Sequence, residues 1–281
     1  MQRTPKFTWC AQEKINDGST SRQNVEEIKK WLDQHPNIPK INEEQIVLFL
    51  IACKNDLMAT TSTINSYFKC RQNAPEFFSN RHVEFESLKQ TIEVIESAVM
   101  TNMTKDNYAV IFSRLKDTNY WNWNVESSIK YLFMCLDLAI QEHPVKGYIA
   151  VFDMKGLGLM HLTRLKVGPL RKFFAYLQEG LPCQLKEIHI LNCTYIFDKL
   201  LLIIRPFMKK ELLDMLKTHQ SSYDMNEFFE HHAPQHCIPE DYGGCLPTMA
   251  VLCKQTLEKF KQLRQFYDDD EQQVKLYRKE K

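Results

Sequence analysis

No run in this 281-residue chain approaches the ~20 apolar residues that a membrane-spanning helix requires. An excess of one charge is missing too. Lys+Arg 36 against Asp+Glu 35 leaves a formal +1, whereas a nucleic-acid binder carries a basic excess or stripe, so no nucleic-acid partner is expected. The nine cysteines show no paired spacing, and several sit inside apolar runs such as those around Cys53 and Cys135. Free, buried thiols in a reducing compartment are the natural reading. The N-terminal MQRTPKFTWC has neither an apolar core nor a small-residue cleavage site, so no secretory signal is expected. Internal repeats and low-complexity linkers are absent as well. These absences predict a soluble cytoplasmic protein.

Catalytic signatures are also missing. Gly156-Leu157-Gly158 follows a strand pattern, yet no third glycine opens a helix and no GK[ST] occurs. Such a loop cannot wrap phosphates with backbone N–H groups. There is no Gly-x-Ser-x-Gly elbow. His231-His232 and His236-Cys237 offer nitrogen and sulfur ligands, but structural zinc takes two spaced pairs, and adjacent histidines project in different directions. His189, in the apolar run EIHILN, reads as a satisfied core histidine. Asp153 ends a strand with nothing nearby to complete a dyad. No metal, no cofactor and no enzymatic activity are expected.

What the chain does have is apolar bulk: 44% hydrophobic and 11% aromatic residues, enough for a sizeable core. Residues 1 to about 95 read as wholly helical. Val25, Ile28, Trp31 and Leu32 share a helical face, Asn42-Glu43-Glu44-Gln45 resembles a capping box, and a third helix fits Ala59 to Lys69. Beyond residue 105 β-rich runs at 108–112, 148–152 and 187–191 alternate with helices over 125–142 and 167–178. That alternation predicts βαβ units and a mainly parallel sheet. A final helix fits Thr248 to Tyr267, and Asp268-Asp269-Asp270-Glu271 reads as a solvated, fraying end.

The most informative stretch is Thr194 to Leu216. Its first half is apolar on nearly every side, Arg205-Pro206 breaks it, and Lys209, Lys210 and Lys217 follow. Two readings stand: a lid working at a membrane surface, or a core helix kinked by proline. Phe152, Phe173-Phe174 and Tyr176-Leu177 add more large apolar side chains than a compact sheet needs. They could line a concave apolar pocket or pack as ordinary core.

Four segments then carry a family resemblance: Tyr148-Ile-Ala-Val-Phe-Asp153 with Gly156, Leu185-Lys-Glu-Ile-His-Ile-Leu-Asn192, Ile204-Arg-Pro-Phe207, and Ile238-Pro-Glu-Asp-Tyr-Gly-Gly244. In order and spacing the chain resembles the CRAL-TRIO lipid-binding family, in the branch of tocopherol and retinaldehyde carriers. The resemblance implies an α/β fold in three sections: an N-terminal helical domain over 1–95, a lipid-binding domain over 96–250, and a C-terminal helix and tail over 251–281. In the second section a mainly parallel sheet with flanking helices encloses an apolar cavity. Phe152, Phe173, Tyr176, Leu177 and Ile188 match the pocket lining. Phe197, Leu200, Ile203, Ile204, Phe207 and Met208 match the lid.

The implied partner is one small hydrophobic lipid, a retinoid, tocopherol or similar isoprenoid, carried between membranes by a cytosolic monomer in transient, peripheral membrane contact. Where relatives place small polar residues on the helix after the first strand, this chain has Lys130 and Met134. At the phosphoinositide cleft of some relatives Lys186 keeps a basic position, while Gln184, Glu211 and Met215 replace others. Lys209, Lys210 and Lys217 supply positive charge in a different arrangement. A phosphoinositide-binding membrane adaptor that moves no lipid is the alternative.

Overall fold

The computed structural model describes residues 3–278. Six helices come first: α1 (Ala11–Asn16), α2 (Arg22–Gln34), α3 (Glu43–Ala52), α4 (Leu57–Asn73), α5 (Pro75–Phe78) and α6 (Glu86–Val94). The capping box forms as the sequence suggests. The Gln45 N–H donates to Asn42 Oδ1, and the Asn42 N–H donates to Gln45 Oε1. α4 starts on a second cap, with the Ala59 N–H donating to Asp56 Oδ1. Its threonine-rich first turns hold because Thr60 is buried and donates back to the Asp56 carbonyl at 2.6 Å.

Strands and helices then alternate: β1 (Ile95–Val99), β2 (Tyr108–Leu115), α7 (Val125–Glu142), β3 (Gly147–Asp153), α8 (Leu159–Leu162), α9 (Val167–Ala175), β4 (Leu185–Leu191), α10 (Tyr195–Ile204), α11 (Lys210–Asp214) and β5 (Leu216–Thr218). A π turn, Tyr176–Gly180, ends α9, and a 3-10 turn, Arg205–Phe207, separates α10 from α11. The chain finishes with α12 (Met225–His231), α13 (Met249–Gln262) and α14 (Arg264–Lys275). The sheet order is β1-β2-β3-β4-β5, antiparallel at β1 and parallel elsewhere. This is the expected α/β architecture.

Two strands depart from the sequence reading, and both are edges. β1 begins where the helical section was expected to end, and its register is fixed partly by a Ser97–Ser113 hydroxyl pair at 2.7 Å across to β2. β5 is three residues long and lies just past the lid stretch. The C-terminal expectation also needs correction. The helix from Met249 breaks at Leu263, and α14 continues through the acidic run, burying Asp269 and Asp270. That run is not a fraying end.

The reason lies across the molecule. Asp270 Oδ2 accepts from Arg71 Nη1 at 2.7 Å and from Arg81 Nη2, while Asp137 Oδ1 accepts from Arg71 Nη2 and its Oδ2 from Arg81 Nη1, both at 2.6 Å. The Tyr67 hydroxyl donates to Asp270 Oδ1 at 2.7 Å. Two guanidinium groups and two carboxylates, all buried, thus tie α4, α7 and α14 together. Burial alone would raise the Asp270 carboxyl, but Arg71 and Arg81 outweigh it and hold it below its ordinary value. One apolar core joins the sections: Phe49 and Phe68, Phe133, Ile188, and Phe260 with Tyr267 belong to a single cluster. A second cluster, with Phe112, Val151, Phe228 and Leu252, covers the other sheet face.

Candidate functional site

Between the first sheet face and α7, α9 and α10 the side chains do not close the space. A cavity of about 310 Å³ remains, within the size range of small-ligand pockets. β3 contributes Phe152 and β4 contributes Ile188 and Ile190, one side of each strand. Phe173 and Leu177 reach it from α9 and the π turn that follows. α7 presents Val125, Ile129, Leu132 and Leu136, a helical stripe that the sequence contained and that periodicity could have flagged. The loop and helix around Leu157, His161, Leu162 and Leu165 complete the wall; sequence reasoning had no signal for these. Lys130 and Met134 do not line it. The Lys130 ammonium donates to the Ser79 carbonyl at 2.7 Å.

α10 covers the opening. Phe197, Leu200, Ile204 and Met208 line the cavity, and spacings of three and four residues put them on one side. Tyr195, Leu202 and Ile203 lie on the other and are exposed, Leu202 by 66%. A core helix kinked by proline would hide both faces; this one hides only one. Three of the residues matched to the pocket lining and the lid do not line the cavity. Ile203 points outward, Phe207 stacks on Phe174 with ring centroids 6.5 Å apart, and the Tyr176 hydroxyl accepts from Arg71 Nε and Nη2 at 2.9 and 2.6 Å. Gln178 fixes the joint after Pro206. Its Oε1 accepts from the Lys209 N–H at 2.6 Å, and its Nε2 donates to the Phe207 carbonyl at 3.1 Å.

The remaining motif residues hold the frame. Asp153 Oδ1 accepts from Asn192 Nδ2 at 2.7 Å and from the Lys155 N–H at 2.8 Å, and Oδ2 accepts from the Tyr242 hydroxyl at 2.7 Å. Three of the sequence segments are therefore tied by one carboxylate. Gly244 is required by space, since a Cβ there would sit 1.8 Å from the Ile238 carbonyl oxygen. Its neighbour Gly243 has φ +77°, the left-handed region that suits glycine.

The CRAL/TRIO domain family matches residues 95–244, more than half of the chain. This chain belongs to that family. A Pinta-like UBA domain matches residues 17–88. Among curated proteins, the α-tocopherol transfer protein-like protein of Homo sapiens is 26% identical over 214 residues, 75% of this chain and 61% of that protein. The chain thus spans about three fifths of that relative's length. Clavesin-1 of Xenopus laevis is 24% identical over 235 residues, 81% of this chain and 69% of its own. Clavesin-2 of Homo sapiens is 22% identical over 285 residues, 98% of this chain and 84% of its own. The crystal structure of Sfh5 overlays with a TM-score of 0.46 at 14% identity, covering 65% of this chain and 70% of that one; a likeness so slight decides nothing.

Within this CRAL/TRIO chain the expected lysines do not converge. Lys217 pairs in register with His189 and bonds to Glu187, while Lys186 sits where the β3–β4 register shifts. Lys186 donates to Gln184 Oε1 and stands 5.1 Å from the Tyr108 ring centroid. Lys209 is ion-paired to Glu179 at 2.9 Å, and Lys210 is exposed beside it. Gln184, Lys209, Glu211 and Met215 do share a separate cleft with Lys54 and Glu179, of mixed charge.

On the far face, His189 is fully buried and bonded through both nitrogens: Nε2 lies 2.8 Å from Glu187 and Nδ1 lies 2.9 Å from His219 Nε2. It is the satisfied core histidine that the sequence suggested. His232 Nδ1 lies 3.0 Å from the same Glu187 oxygen, and the Lys217 ammonium also bonds to this carboxylate. Among the described residues Glu187, His189 and His232 are the group whose donor atoms could hold a metal, all within 4.8 Å. Lys217 already matches the carboxylate's charge. Of the four neighbouring candidates His231, His232, His236 and Cys237, only His232 joins this group.

Burial, aided by the neighbouring histidines, pushes His189 down to about 4 against the pull of Glu187; His219 and His232 are lowered too. The unfolded chain therefore takes up these protons first. Stability from a neutral His189 is full above its ordinary 6.5 and is lost as pH falls toward about 4, by on the order of 3 kcal/mol. Urea midpoints measured from pH 7.5 to 4.5 should fall steeply, and His189→Asn should flatten that slope. An equal slope in the variant would remove His189 as its source.

Proposed function

We propose that the protein is a cytosolic carrier that takes one small hydrophobic lipid, a retinoid, tocopherol or similar isoprenoid, into the cavity and moves it between membranes. The observation that carries this reading is α10, with one apolar face over an apolar cavity and the other turned to solvent. Each methylene moved into water costs ~0.8 kcal/mol, so a twenty-carbon isoprenoid costs on the order of 16 kcal/mol to bare. Exchange of bilayer contacts for Phe152, Phe173 and Leu177 removes most of that cost. The names of the α-tocopherol transfer protein-like relatives point the same way.

In this reading α10 swings out at the membrane, and Tyr195, Leu202 and Ile203 dip into the interface as an amphipathic helix does. Lys209 and Lys210 sit near the headgroups and bias docking. No bond is made or broken. Asp153 and His189, the two side chains with catalytic potential in the sequence, are both engaged in holding the frame. The division at 1–95, 96–250 and 251–281 then separates a helical brace, the carrier unit and a clasp, acting as one monomeric body.

The test is transfer of a fluorescent retinoid or tocopherol analogue between donor and acceptor vesicles. Transfer accelerated at least tenfold over spontaneous desorption is expected. Vesicle binding without acceleration would instead mark a membrane adaptor.

A further inference from the structure

The cavity wall holds few polar groups, and most are engaged. Ser97 and Ser113 pair with each other, Ser128 donates to the Asn124 carbonyl at 2.6 Å, and the Tyr148 hydroxyl donates to the Leu136 carbonyl at 2.9 Å. Arg114 pairs with Glu96 and Asp241, and Asp153 is bound in the knot described above. Among the described residues that line the cavity, the buried polar side-chain atom without a partner is His161 Nε2.

Its protonation follows from its other nitrogen. The Gly158 N–H donates to His161 Nδ1 at 3.0 Å, so Nδ1 is the acceptor and the neutral ring carries its proton on Nε2. The residue is 2% exposed, and the Trp123 and Tyr120 rings flank it with centroids 5.9 and 6.3 Å away. Burial moves the imidazole below its ordinary value, which keeps it neutral. A buried N–H donor with no acceptor is rare and unfavourable, because the bond to water is lost and nothing replaces it.

We propose that His161 Nε2–H is the polar anchor of the ligand cavity, and that the cargo is an apolar chain carrying one neutral oxygen acceptor, an alcohol or a carbonyl. This rests on the carrier reading and makes it specific. A pure hydrocarbon leaves the donor unpaired, and a lipid with a large charged headgroup finds one neutral N–H where it needs several partners. The polar end of the cargo then lies by the loop before α8, with its apolar body against Phe173, Leu177 and the inner face of α10.

The experiment uses phytanol and phytane, twenty-carbon isoprenoids that differ by one hydroxyl. The partition of each, radiolabelled, between phosphatidylcholine vesicles and the full chain is compared with that for His161→Asn. Asparagine keeps an acceptor for the Gly158 N–H and deletes the Nε2 donor, so the loop retains its cap. The phytanol-to-phytane partition ratio should fall about tenfold in the variant, wholly through phytanol, as expected for one buried hydrogen bond.

An unchanged ratio with both ligands bound overturns the anchor and leaves the carrier intact; failure of the wild-type chain to take up either ligand overturns both. Should the variant not fold, the Nε2 proton of His161 in the wild-type chain is followed by NMR. A downfield shift with phytanol and none with phytane supports the anchor, and equal shifts refute it.

Discussion

Asp270→Ala is expected to destabilise the protein by about 3–5 kcal/mol, the range for removal of one partner from a buried ion pair. Arg71 and Arg81 would keep their charge with only Asp137 left to answer it, in a place where all four side chains are at most 4% exposed. The Tyr67 hydroxyl would lose its acceptor as well. For a chain of this size each kcal/mol corresponds to ~2–4 °C in Tm, so calorimetry should show a drop on the order of 10 °C. Asp270→Asn separates charge from shape, since it keeps one acceptor oxygen at nearly the same volume. It should still lose most of that stability. A loss below ~1 kcal/mol in both variants would mean that water reaches the guanidinium groups. Because Arg71 and Asp270 are 199 positions apart, the effect also bears on how the first helices are held to the last.

That network shows where the sequence stops being legible. Helix α7 and strand β3 could be read to within a residue at each end, because most of each is buried and apolar residues dominate its pattern. β4 was read two residues short, since its first three residues are only half-buried. β1 and β5 could not be read. They are short edges whose pairing is decided by a neighbouring strand and not by their own pattern. The acidic run at 268–271 looked solvated because composition alone cannot reveal two arginines that lie nearly 200 positions earlier.

The cavity behaved the same way. Phe173 and Leu177, four residues apart, share the face that lines it, but Tyr176 between them turns its hydroxyl to Arg71. The lid stretch was too uniformly apolar for its two faces to be told apart by periodicity; burial separates Phe197 from Leu202. His161 gave no signal at all, because an unpaired donor is a property of its surroundings.

The faces of α10 lead to opposite outcomes. Leu202→Asp with Ile203→Asp alters the outer face alone, so the chain should still bind a fluorescent isoprenoid in solution with near wild-type affinity. Its vesicle-to-vesicle transfer should collapse. Full burial of a Leu or Ile is worth ~1.5–3 kcal/mol, and even about 1 kcal/mol lost from each on shallow insertion slows docking roughly thirtyfold. Two carboxylates facing anionic headgroups add repulsion.

Phe197→Asp reaches the cavity instead. Phe197 is 3% exposed, and a carboxylate there would lack partners among Phe152, Phe173 and Ile188. Ligand binding itself should then fail, and transfer with it. If the outer-face variant carries ligand between vesicles at the wild-type rate, α10 is not the membrane contact, and the cargo leaves by another wall of the cavity.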